Sequence, residues 1–158
     1  MTPKELLQRL QTYIKALVWT AGNKIFGENV FIVSAFPALQ LSQLVAPTCF
    51  IVDSGQQSHP EHNNIIDQNF SILLFVEHVG NNMGEYTIIG GNRIANKSSG
   101  AGLLDIEGKI LQGLREETVL STAKIVFLSK SRAKNALVKG ANPSMTRSLN
   151  FSARVDYV

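Results

Sequence analysis

The sequence predicts an α+β fold: a mixed, largely antiparallel sheet with two main helices packed on it. Three observations lead there. Apolar residues recur at helical spacing in two separate stretches, near residues 6–17 and 103–114. Short apolar runs of strand length lie between and after them, bounded by Gly, Pro, Asn or Ser. The last twelve residues alternate between apolar and polar. The resulting order, α-β-β-β-α-β-β, calls for a sheet that buries one face under helices.

The first helix is well marked. Thr2 suits the N-cap, Pro3 the first helical position, and Glu5 completes a Thr-x-x-Glu capping box. Leu6, Leu7, Leu10, Tyr13, Ile14 and Leu17 then share one face. The helix should fade within "TAGNKIFGEN", where Gly22 and Gly27 punctuate the chain. "NVFIVSAF" (29–36) reads as a strand ending before Pro37, and "LQLSQLVAP" (39–47) is ambiguous. "PTCFIVDS" (47–54) reads as a second strand.

Residues 54–68 form a polar loop apart from Ile65 and Ile66. "QNFSILLFVEHV" (68–79) is the most strand-like segment. Ile72, Leu74 and Val76 point one way, Leu73 and Phe75 the other, which predicts a central strand covered on both sides. Residues 80–102, rich in Gly and Asn, read as connection with a short strand or helical turn near Tyr86–Ile89. A second helix runs from about Gly102 to Leu114 on the stripe Leu103, Ile106, Ile110, Leu111 and Leu114. "STAKIVFLSK" (121–130) is a strand, and 131–146 reads as a basic connection or two arms of an extended hairpin. In "RSLNFSARVDYV" (147–158), Leu149, Phe151, Ala153, Val155 and Tyr157 alternate with polar residues, the mark of a half-exposed antiparallel strand.

With 158 residues the chain suits one domain spanning 1–158, large enough for a core without staples. No internal repeat, heptad seam or Pro/Ser linker divides it. No apolar run approaches the roughly 20 residues needed to cross a bilayer. The N-terminus lacks a secretory apolar core, so the expected compartment is a cytoplasm. The single cysteine, Cys49, lies in an apolar run and reads as a small buried hydrophobe. Net charge is +3 but uneven: residues 121–158 carry seven Lys/Arg against one acid. Such a basic quarter suits nucleic acid, an acidic protein surface, or plain solvation.

The candidate chemical sites are weak. His59, Glu61 and His62 stand in "DSGQQSHPEHNN" (53–64). A zincin needs histidines four apart on a helix; here they are three apart around Pro60. A metal-dependent hydrolase using His59 and His62, with Asp53, Glu77 and His78 completing a cluster, remains an alternative. "GGNRIANKSSGAGLLD" (90–105) sets glycines, Lys97 and serines before a helix N-terminus, but in the wrong order for a phosphate loop. No Gly-x-Ser-x-Gly occurs. Lys130, Arg132, Lys134, Lys139 and Arg147 lack the interleaved aromatics of a base-stacking platform, which leaves phosphate contact from charge alone.

Taken in order, the opening helix, "APTCFIVDSG", "NFSILLFVEHVGN", "GLLDIEGKILQGL", the basic connection and "SLNFSARVDYV" cover most of the chain. This series resembles the tail terminator proteins of long-tailed bacteriophages, also called minor tail or tail-completion proteins. The resemblance implies a non-enzymatic virion protein without cofactors. It would form a hexameric ring with itself on the last ring of the tail tube, end tube growth, and offer the head-completion or neck protein a joining surface. DNA in the lumen would pass nearby without specific contact, and no membrane is involved. A head–tail connector or stopper is the near alternative. The polar excursions would then be contact surfaces: His59, Glu61 and His62 in the first, Arg93 and Lys97 in 80–102, and Lys130, Arg132, Lys134, Lys139 and Arg147 in the basic segment.

Overall fold

A computed structural model describes residues 1–20, 23–34, 47–58, 61, 64–77, 85–90, 102–115, 123–136 and 144–156. Helix α1 spans Pro3–Ala16 and begins at the capping box: Thr2 Oγ1 accepts from the Glu5 amide at 3.3 Å, and Glu5 Oε2 accepts from the Thr2 amide at 2.9 Å. Leu6, Leu7, Leu10 and Ile14 are its buried stripe. The helix ends earlier than its apolar spacing suggests. Leu17 turns extended, and the β-forming run Val18-Trp19-Thr20 becomes strand β1 (Val18–Thr20), paired with β2 (Asn23–Lys24). This small hairpin delivers Ile25 and Phe26 into the core.

The main sheet contains β3 (Val30–Val33), β4 (Thr48–Ser58), β5 (Ile65–Glu77), β6 (Lys124–Lys130), β7 (Lys134–Ala136) and β8 (Ser144–Asp156). Its order is β3-β4-β5-β8-β6, with β7 also paired to β8. Among the described strands of this sheet only β3–β4 is parallel, so the fold is α+β with a mixed, largely antiparallel sheet, as expected. The basic connection does form hairpin arms where β7 meets the start of β8. Near Tyr86 the chain makes a helical turn, α2 (Glu85–Ile89). It packs on the start of α3 (Leu103–Arg115).

Two expectations need correction. Much of the polar loop 54–68 is strand. β4 continues to Ser58 and pairs Gln56 with Gln68, Gln57 with Asp67 and Ser58 with Ile66. Ladder bonds are made by backbone, so polar side chains gave no apolar period to read. A bulge between Asp53 and Gln56 lets Gly55 take φ +97°, and the buried Gln68 pins it. Gln68 Nε2 donates to Asp53 Oδ1 at 2.8 Å, and Gln68 Oε1 accepts from Gln56 Nε2 at 2.8 Å. The second correction concerns β5, which is central but not covered along both faces. Ile66, Phe70, Ile72, Leu74 and Val76 are buried in the core. On the other face Phe75 is buried, whereas Asp67, Asn69, Ser71 and Leu73 are half-buried.

Both main helices contribute their apolar stripes to that core, Leu103, Ile106, Ile110 and Leu114 coming from α3. Tyr13 bridges the helices, donating its hydroxyl to the Lys109 carbonyl at 3.0 Å. Gly113 leaves the room into which the Tyr13 ring fits. At the α3 N-terminus a Cβ on Gly102 would overlap the backbone of Ile88, Ile89 and Gly90. That contact allows α2 and α3 to pack backbone to backbone.

Gly102→Ala should therefore destabilise the protein by about 1–3 kcal/mol through overpacking. Gly108→Ala, on the open side of the same helix, should stabilise it by about 0.5–1 kcal/mol. Thermal unfolding midpoints moving in the same direction would refute this contrast. The Glu5 carboxyl is held below the ordinary carboxylate range, first by the Thr2 backbone bond and then by the Thr2 side chain. A lowered folded value means that its stabilisation is complete above the unfolded carboxylate range and disappears as pH falls through the folded value. Glu5→Gln should thus be less stable than the parent near neutrality and converge with it in acid, as urea unfolding across pH would show.

Candidate assembly surface

The alternation of β8 places Arg147 on the same side as Leu149, Phe151, Ala153 and Val155, beside Leu74 of β5. Its guanidinium therefore points toward the helices and needs a partner there. α3 supplies Glu107, four residues after Leu103 and three before Ile110, within the helix's buried stripe. Arg147 Nη1 lies 2.7 Å from Glu107 Oε1, and Lys130 Nζ lies 3.4 Å from Glu107 Oε2. Glu107 is 4% exposed, Arg147 12% and Lys130 48%. This cluster joins α3, β6 and β8 and occupies two of the basic residues that composition alone would place on the surface. Arg154 is also engaged, with Asp67 at 3.3 Å across the β5–β8 pair. Both Glu107 and the inward turn of Arg147 escaped the reading of the sequence. The signal was parity: each stands at a core position of its own element.

The sheet's opposite face carries a polar ladder. Ser54 Oγ and Ser71 Oγ are 3.2 Å apart, Ser71 Oγ donates to Asn150 Oδ1 at 2.7 Å, and Asn150 Nδ2 donates to Ser129 Oγ at 3.0 Å. Four strands are thereby linked by side chains as well as by backbone. Its two edges differ from this face. Among the described residues β3 and β6 are the outermost strands of this sheet; β3 exposes Phe31 and Ile32, and β6 exposes Val126, Phe127 and Leu128. Leu128 is the extra residue of a bulge against β8 and is 56% exposed. Below β6 an open groove is lined by Leu111, Leu114, Arg115, Ile125 and Phe127.

The remaining sequence-derived candidates separate clearly. Glu61 is exposed in the turn between β4 and β5, while Arg132 and Lys134 are exposed between β6 and β8. His59, His62, His78, Arg93, Lys97 and Lys139 lie outside the described residues. Among the described residues no three His, Cys, Asp or Glu side chains gather as a metal group. Asp53, a suggested member of such a cluster, instead accepts from the Gly55 amide at 3.0 Å and from Gln68. Cys49 is fully buried, as expected, and burial pushes its thiol well above the ordinary range, which disfavours the nucleophilic thiolate. Where the phosphate-loop reading meets α3, Asp105 Oδ2 already accepts from the Gly102 amide at 3.0 Å.

Removing one member of the buried pair should be costly. Arg147→Met strands Glu107 and is expected to cost about 3–5 kcal/mol, whereas Arg147→Met with Glu107→Leu should recover most of it. Lys130→Ala should cost under about 1 kcal/mol, since its ammonium is half in water. Urea denaturation of the four proteins checks this; equal losses for the single and double Arg147 variants would contradict it.

No protein-family model and no curated protein sequence matches the chain. Among solved structures, it is similar to a chain of the "Virion of native gene transfer agent (GTA) particle", at 18% identity and a TM-score of 0.46. That alignment covers 96% of this chain and 94% of the other.

Proposed function

We propose that this protein is a structural component of a long-tailed phage particle, a tail terminator that forms a ring, six-fold by resemblance, at the head-proximal end of the tail tube. It ends tube polymerisation there and offers the surface on which the head is joined. The observation that carries the reading is the pair of unlike sheet edges. A closed ring needs two different patches on each subunit, joined head to tail. β3 and β6 are such patches, each apolar and exposed, at opposite ends of one sheet. Isolated exposed apolar residues are ordinary, but two sets on opposite strand edges suit repeated association.

The segments that resemble tail terminators support the same reading, since they supply α1, β4, β5, α3 and β8 in that order. Ring formation through the edges does not use the polar projections. The turn carrying Glu61, with His59 and His62 beside it in sequence, and the basic residues Arg132 and Lys134 are proposed contacts with tube or neck protein. Arg93, Lys97 and Lys139 belong to the same proposed set by sequence. The protein works by surface complementarity, without catalysis or cofactor, in the virion and in the host cytoplasm during assembly.

Purified protein mixed with growing tail tubes should appear in negative stain as a ring on one tube end, and tube length should stop increasing. Rings that bind neck protein but ignore tube ends would make it a connector. Protein that neither forms rings nor binds either partner would overturn the reading.

A further inference from the structure

We propose that neighbouring copies join by strand addition, β6 of one copy pairing antiparallel with β3 of the next. This inference rests on the ring reading for its context and specifies the contact within that ring.

Strand direction is the first argument. β3 runs parallel to β4, β4 antiparallel to β5, β5 antiparallel to β8, and β8 antiparallel to β6. β3 and β6 therefore run in opposite directions within one sheet. Two copies set side by side the same way up bring β6 against an oppositely directed β3. Such a contact continues the antiparallel ladder and leaves a further edge for the next copy, as a head-to-tail ring requires.

Side-chain parity then selects a register. Ile32 pairs beside Ile51 and Phe127 beside Phe151, and both partners are core residues. Ile32 and Phe127 thus lie on the helix-covered face of their strands. Placing Ile32 opposite Phe127 keeps the two copies' helix faces continuous. It sets Val33 opposite Val126 and Phe31 opposite Leu128 on the other face. The exposed apolar side chains of both edges are covered together in this register, and Ile32 arrives beside the groove under Phe127. Gln11 Nε2 already occupies the Val30 carbonyl at 2.8 Å, so the pairing stretch of β3 begins after Val30.

Charge discriminates against the obvious competitor, β6 pairing with itself. Lys124 and Lys130 bracket the apolar run of β6. Antiparallel self-pairing centred on Phe127 puts Lys124 of one copy opposite Lys130 of the other, a destabilising like-charge pair. Flanking lysines of this kind protect an edge from indiscriminate pairing. β3 presents no lysine within its strand.

Ile32→Cys and Phe127→Cys in one chain test the contact, with a short thiol-to-thiol cross-linker applied at high protein concentration and again on tube-bound rings. Both positions are over a third exposed, and the buried Cys49 does not compete. A ladder of covalent oligomers on a denaturing gel is expected from the double variant and not from either single one. Val33→Cys with Val126→Cys should give the same ladder and guards against misfolding of the first pair. No ladder from either pair, in variants whose circular dichroism matches the parent, overturns the strand pairing. Rings seen in the microscope without a ladder would remove this contact while leaving the ring reading intact. Covalent dimers from Phe127→Cys alone would show β6 self-pairing and also overturn the proposal.

Discussion

Thirteen consecutive residue pairs, from Ile65 with Asp156 to Glu77 with Ser144, join β5 to β8 without a break. The rest of the structure depends on that register. Strand side chains have a period of two, so a slip of one residue would turn Ser148, Asn150 and Ser152 into the core and expel Leu149, Phe151 and Ala153. Stacking of Phe70 on Phe151, centroids 5.2 Å apart, marks the middle of the ladder. Phe127 meets the same ring edge-on from β6, which extends this aromatic centre to the sheet's edge.

The register has a price at Arg147. Its parity sends a guanidinium toward the helices, where a lone charge would be intolerable. Glu107 answers from forty residues away in the chain, and Lys130 joins from β6. A buried ion pair is weak evidence of net stability, but this one joins α3 to both β8 and β6 at a defined point. At the far end of β8, Asp156 receives the Met1 ammonium at 2.6 Å, and its amide donates to the Met1 carbonyl. α1 is thus tied to the same strand.

One sheet in this way presents three different surfaces. The face beneath the helices is apolar and packed. The opposite face carries hydroxyls and an amide that satisfy one another across four strands, beside the buried rings of Phe50 and Phe75. The edges combine exposed apolar side chains with strand termination. The proposed association uses the edges rather than the half-exposed face of β8. β8 itself has β5 on one side and β6 with β7 on the other.

Local chemistry in the sequence determined several elements by itself. Thr2, Pro3 and Glu5 mark the start of α1, the spacing from Leu103 to Leu114 marks α3, and the alternation from Leu149 to Val155 assigns the inward face of β8. Each signal arises from a residue's relation to its near neighbours. Tertiary structure alone decided that Gln56, Gln57 and Ser58 belong to a strand, because backbone pairing with β5 leaves no trace in polar composition. It also decided the partnership of Glu107 with Arg147 and the placing of β3 and β6 at the two edges. Strand order and long-range ion pairs depend on which segments meet in space, and hydrophobic period within a segment carries no information about its neighbour.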